Sequence, residues 1–287
     1  MKITLITERE SVDLSTHPFK LLQKVDLSGL AAKMTIVETG SDGGLFLNSK
    51  YNTRDVDFQG MIDCYGQTTQ WIKDKKDLLY RICNPKEPVT IQIETDDNEI
   101  YSMIGYPISF PVFKTDSQNQ NKTFQTFLLQ FTCADPYLYK NQQVVTFATV
   151  TPSFSFPMSF SGVVFGTKNN TLIQSVYNDG MMDCPLEITI DATQNVVNPY
   201  LINVYTQEQI KLNTSMIAGD RVVINTGRKK EVSRYRSGVK TTFYSALDLT
   251  SAFLQLNKGD NIFRFGADSG QDYMQIQLTY QERMAGL

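Results

Sequence analysis

The chain has a single histidine, His17, among its 287 residues. Zinc sites, Ser-His-Asp hydrolysis and histidine acid–base catalysis all need an imidazole placed beside a metal, a nucleophile or a carboxylate. His17 stands before Pro18 with no such group around it and reads as a turn or surface residue. The four cysteines, Cys64, Cys83, Cys133 and Cys184, contain no CxxC pair, which argues against a metal site. Three of them close apolar runs, where a thiol serves as a small buried hydrophobe, so reduced cysteines and no structural disulfides are expected. Neither GxGxxG nor GxxxxGKS/T occurs, and Gly162 and Gly166 in GVVFGTK have the wrong spacing for a phosphate loop. A basic excess is also missing. Lys and Arg number 27 against 30 Asp and Glu, for a formal net charge of -3 and a pI near 5.3, whereas nucleic-acid binders usually carry strong positive charge. No run approaches the ~20 apolar residues of a membrane-spanning helix. The opening MKITLITERESVDL lacks the apolar core and cleavage site of a signal peptide. No catalytic residue, metal ligand or cofactor site is therefore expected.

What the sequence does have is alternation with period two, the pattern of half-buried strands. In RDVDFQGMIDCY, Val56, Phe58, Ile62 and Cys64 share one face and Asp55, Asp57, Gln59 and Asp63 the other. Val89, Ile91 and Ile93 alternate in PVTIQIET, and with EIYSMIGY they predict a hairpin over residues 88–106, turning at Asp96-Asp97. Phe127, Leu129, Phe131 and Cys133 repeat the pattern. One stretch departs from it. TTQWIKDKKDLLYRICNP places Trp71, Ile72, Leu78, Leu79 and Ile82 on one helical face, with Thr68 or Thr69 as cap, a pairing of Asp77 with Arg81 one turn apart, and Asn84-Pro85 as the stop.

The second half reads as short strands separated by turns: PLEITID, NPYLINVY, TQEQIKL, RVVIN, VKTTFYS, NIFRF and YMQIQLTY. Between the halves, TVTPSFSFPMSFSG alternates Phe154, Phe156, Met158 and Phe160, but Pro152 and Pro157 exclude a central strand. The expected organisation is mainly β and two-domain: an N-terminal β-sandwich-like domain with one helix and a hairpin over 1–140, a linker and edge strand over 141–160, and a C-terminal antiparallel β-sandwich over 161–287.

The order of these features resembles the distal tail proteins of siphophages. RDVDFQGMIDCYG, the helix ending in YRICNPKEPVTIQI, EIYSMIGYPISF and FQTFLLQFTCADPYLY resemble the N-terminal domain of that family. NPYLINVY, IAGDRVVINTGRKKEV, LQLNKGDNIFRFGADSG and MQIQLTYQER resemble its C-terminal domain. Asp135 to Tyr137 and the KGDN before Ile262 are the most specific pieces. The resemblance implies a virion structural protein without enzymatic activity, at the tip of a long non-contractile tail and assembled in the bacterial host cytoplasm. It implies a homohexameric ring whose N-terminal domains surround a channel that DNA traverses without specific binding, and whose C-terminal domains are galectin-like. The implied partners are the major tail tube protein above, a fibre or lysin hub below and, in some members, receptor-binding or baseplate proteins; no membrane is involved. The segment from Lys168 to Gly180 is too short for the arm that grips receptor-binding proteins in some members. An alternative reading is a carbohydrate-binding module that contacts the host wall.

Two groups of residues are candidate contacts. Arg54, Asp55 and Asp57 are taken as charges pointing away from the core toward a neighbouring subunit. Arg228, Lys229, Lys230, Arg234 and Arg236 lie in GDRVVINTGRKKEVSRYRSGVK, seven basic residues against two acidic ones. There the first three start a strand after an NTG turn with a positive-φ Gly227, and the stretch reads as a solvated hairpin. An acidic neighbour or an anionic wall polymer is its expected partner in preference to DNA.

Overall fold

The computed structural model describes residues 1–40, 42–116, 118–151, 167–170 and 172–287. The phenylalanine-rich stretch from Phe154 to Phe160 and the Gly162–Gly166 segment lie outside the described residues. Two units emerge, one of Met1–Asn141 with Met284–Leu287 and one of Gln142–Arg283. The last four residues thus group with the first unit, where the sequence alone gave them to the second domain.

The first unit contains β1 (Lys2–Ile6), β2 (Ser11–Asp13), β3 (Phe19–Leu21), β4 (Ala32–Glu38), β5 (Gly44–Tyr51), β6 (Arg54–Asp63), α1 (Thr69–Ile82), β7 (Val89–Glu94), β8 (Ile100–Pro107), β9 (Phe124–Cys133) and β10 (Leu138–Lys140). Its main sheet runs β2-β1-β7-β8-β9-β6-β3. β8 changes partner along its length: Ile100–Gly105 pair with β7, while Tyr106 and Pro107 pair with Thr132 and Phe131 of β9. Glycine makes room at the change. A Cβ on Gly105 would lie 2.8 Å from Ile91 Cδ1 and 3.2 Å from the Phe131 side chain. Period-two burial drives the strands. Val56, Phe58 and Ile62 of β6, Val89, Ile91 and Ile93 of β7, and Phe127, Leu129, Phe131 and Cys133 of β9 are all buried in one core, with the Phe58 and Phe131 rings edge-on at 5.6 Å.

Helix α1 closes that core. Thr68 is its N-cap and accepts a hydrogen bond from the Trp71 N–H, which satisfies one of the amides a helix start leaves open. Leu79 and Ile82 are fully buried, and Trp71, Ile72 and Leu78 pack against the same cluster. Arg81 differs from expectation. It pairs with Glu10, donating through Nε at 3.0 and 3.1 Å, and so ties the helix to the β1–β2 turn instead of to Asp77.

The second unit is a sandwich. One sheet has the order Gln143–Thr146, Met274–Tyr280, Cys184–Ala192, Arg221–Asn225, Glu231–Arg236, Val239–Thr242. The other has the order Ile173–Asn178, Gly259–Gly266, Tyr200–Asn203, Gln209–Lys211. Both send alternate residues into one core: Ile188, Ile190, Val222, Ile224, Ile276 and Leu278 from the first, Val176, Leu201, Ile210, Phe263 and Phe265 from the second.

All four cysteines are free and buried. Burial pushes the thiols of Cys83 and Cys184 up to about 12 and that of Cys133 up to about 11, because a thiolate has no solvation there. They stay protonated and unreactive in the native fold. A disulfide-exchange thiol reagent at neutral pH is expected to label no cysteine in the native protein and all four after denaturation. Rapid labelling of native Cys133 or Cys184 would refute that packing.

Candidate functional site

Strands β4 and β5 form a two-stranded hairpin that pairs with nothing else among the described residues. Every described residue from Ala32 to Tyr51 is exposed. Met34, Ile36, Phe46, Leu45 and Leu47 are each more than half exposed, whereas β6, β7 and β9 of the same unit bury their apolar faces. Cross-strand partners share a face. Ala32 with Tyr51, Met34 with Ser49 and Ile36 with Phe46 therefore make one face, mostly apolar. Lys33 with Lys50, Thr35 with Asn48 and Val37 with Leu45 make the other, basic at the base and apolar at the tip. Leu47 is the extra residue of a bulge between these rows. Sequence reasoning found a hairpin at 88–106 and missed this one. The signal was present: the turn-rich TGSDGG separates two runs of strand-forming residues.

The hairpin leads directly into β6 and the first group of predicted contacts. Asp55 and Asp57 project outward and are exposed, as the alternation requires. Arg54 does not join them. It has the same parity as Val56 and Phe58, and only 7% of it is accessible. Its guanidinium donates to the Leu27 carbonyl at 3.1 Å and to the Ala285 carbonyl. Partial burial lowers its pKa, with the charge satisfied by these carbonyls. Arg54 thus fastens the C-terminal residues to the segment that enters the hairpin. It offers no charge to a neighbour.

The basic stretch is also rearranged. Arg228, Lys229 and Lys230 sit in the loop before Glu231–Arg236, outside any strand. Gly227 is absent from the left-handed glycines; its N–H donates to Asn225 Oδ1 at 2.8 Å, so the asparagine side chain makes the turn. Lys230 lies over the Phe253 ring at 4.9 Å and Arg234 over Phe243 at 4.5 Å. Arg221 pairs with Asp191, Arg236 with the buried Asp220, and Lys240 with Glu231. Hydrogen bonds from these cations hold the Asp220 and Glu231 carboxyls below the usual range. Three of the seven cations are thus committed to carboxylates within the fold, and two more lie on aromatic rings.

Among the described residues no group of three His, Cys, Asp or Glu could hold a metal ion, and no helix is long and apolar enough to cross a membrane. His17 is exposed, 3.9 Å from Asp63.

Residues 179–284 match the family model of the siphovirus-type tail component, C-terminal domain. Most of the second unit is thus similar to that domain. The fold extends the likeness over the rest of the chain. The Dit protein of phage SPP1, described as a paradigm of the hub adsorption apparatus in phages that infect Gram-positive hosts, aligns over 98% of both chains, with a TM-score of 0.69 and 14% identity. Chains of the phage p2 baseplate in its activated conformation, with strontium and with calcium, align over 97% of both lengths. Their TM-scores are 0.52 and 0.51, at 9% and 10% identity. No curated protein matches the chain. The part that is similar to the tail-component domain therefore follows a first unit that shares the Dit fold and carries the exposed hairpin.

Proposed function

We propose that this protein is a structural subunit of the distal end of a long non-contractile phage tail. It forms a hexameric ring that joins the tail tube to the tip hub or baseplate and leaves a channel for DNA. The observation that carries this reading is the β4–β5 hairpin. A lone two-stranded hairpin is marginally stable in water, and large apolar side chains on both its faces are a liability unless a partner covers them. An assembly subunit has such a partner in every copy. The tail-component match and the Dit fold support placing that assembly at a tail tip, and the net charge of -3 suits a channel along which DNA slides without being held.

The first unit is assigned the ring contacts and the second the outward-facing contacts with baseplate proteins. The major tail tube protein and a fibre or lysin hub are the axial partners. The subunit is made in the host cytoplasm and incorporated into the virion, and it has no catalytic role. Purified protein is expected to assemble with rising concentration into a ring of six, read by light scattering and seen in negative-stain images, and to cap isolated tail tubes. A species that stays monomeric at the highest attainable concentration and leaves tubes uncapped would overturn the proposal.

A further inference from the structure

The hairpin needs a receiving surface, and the first unit carries one that matches it. In the sheet register Asp55 of β6 faces Thr132 of β9, and Thr132 faces Tyr106 of β8. These three side chains form one row on the outer face, and the Thr132 hydroxyl donates to Asp55 at 2.7 Å. In the next row Asp57 faces Gln130, whose carbonyl accepts the N–H of Ile108. The outer face therefore grades from acidic at β6 to apolar at β8 and just beyond it. Ile104, Tyr106 and Ile108 are 52%, 46% and 56% exposed, a run of apolar side chains left uncovered among the described residues.

One face of the hairpin has the complementary gradient. Lys33 and Lys50 stand directly opposite each other near its base. Like charges so placed are destabilising unless an anionic group lies across them, and among the described residues neither ammonium has an ion pair. Toward the tip the same face becomes apolar, with Val37 opposite Leu45. The spacing agrees as well. Four residues separate the lysine row from the Val37 row, about 13 Å at about 3.3 Å per residue. Two inter-strand steps separate Asp55 from Tyr106, about 10 Å.

We propose that the hairpin of one copy lies across the outer sheet face of the next, with Lys33 and Lys50 over Asp55 and Asp57 and with Val37 and Leu45 over Tyr106 and Ile108. This rests on the ring-subunit reading and names the two surfaces that would meet in it. Because the two surfaces are different patches of the chain, the contact is head-to-tail, the type that closes into a ring when its rotation permits. Asp55 and Asp57 then act in the contact, and Arg54 acts beneath it by holding the hairpin's entry segment.

Charge reversal and its restoration test the pairing. K33E/K50E and D55K/D57K are each expected to raise the concentration for half-assembly by at least about tenfold, since opposed like charges cost several kcal/mol at an interface. The four substitutions combined in one chain are expected to return it to within about threefold of the native value. All four side chains are exposed, so thermal midpoints should not change. A second variant, V37C/I108C, is expected to form intermolecular disulfides on oxidation and yield covalent multimers. Reversed variants that assemble normally, or a combined variant no better than its parents, would overturn the pairing while leaving the ring reading in place. A native protein that never assembles would overturn both.

Discussion

Arg236→Met is expected to destabilise the second unit, because it strips the buried Asp220 carboxylate of its cation. The Asp220 side chain is 1% exposed. It accepts the Arg236 Nε–H at 2.6 Å, a second hydrogen bond from the same guanidinium, and the Ile217 N–H at 3.0 Å. Gly219, at φ 84°, lets the chain turn tightly enough to place Asp220 there. Breaking a buried pair from one side typically costs about 3–5 kcal/mol, because the remaining charge stays buried. The loss here is smaller than that, because the Arg236 side chain is 39% exposed and water can enter when it is removed.

The pH dependence identifies the cause. The Asp220 carboxyl is held below 3.8, first by its hydrogen bonds from Arg236. A carboxyl with a depressed native pKa contributes stability that is present above its unfolded pKa and lost as pH falls through the native one. The native protein should therefore be more stable than R236M at neutral pH, and the gap should close in acid, once Asp220 is protonated in both. Urea melts of both proteins over a series from neutral pH down through the acid range measure this. A gap that stays constant across the series would mean that packing of the arginine stem, and not the ion pair, sets the loss.

Much of the fold was legible because burial on one side of a strand writes itself as period two. Val56 and Phe58, Ile91 and Ile93, Ile188 and Ile190, and Ile276 and Leu278 are all inward, as their spacing requires. The helix was legible for the corresponding reason at period 3.6, together with the Thr68 cap. The failures have particular causes. Arg54 was grouped with Asp55 and Asp57 by charge, although its parity places it with Val56; two backbone carbonyls distant in sequence make its burial tolerable. Arg228 to Lys230 were expected to begin a strand, but the Asn225 side chain extends the turn and delays it to Glu231. The Arg81 partner lies on a turn 71 residues away, beyond any local rule. The β4–β5 hairpin was missed because burial is what makes a strand pattern readable within a chain, and none of the described residues buries it.

That same property makes a strong prediction about dynamics. Backbone amides of residues 32–51 are expected to exchange with solvent almost as fast as an unstructured peptide in the monomer, and at least about a hundredfold more slowly after assembly. Among the described residues the ribbon pairs with no other strand and is exposed on both faces, so its opening free energy lies near zero. Its base is held more firmly: Asn52 N–H donates to Ala31 O at 2.9 Å, and the Tyr51 and Tyr137 rings meet edge-on at 6.0 Å. Slow exchange should therefore begin at that base in the monomer and spread to the tip only when a second copy covers the hairpin. Burial of Val37 and Leu45 on the docked face would supply the stabilisation, at roughly 1.5–3 kcal/mol for a fully covered large side chain. A hundredfold slowing needs only about 2.7 kcal/mol, so even partial cover suffices. Strands such as Ile188 with Leu278, already paired inside the second unit, should not change and provide the internal reference. Hydrogen exchange read by mass spectrometry on either side of the assembly concentration decides the matter. If the hairpin is already protected in the monomer, or still exchanges freely in the assembled ring, copies of this chain do not meet through it.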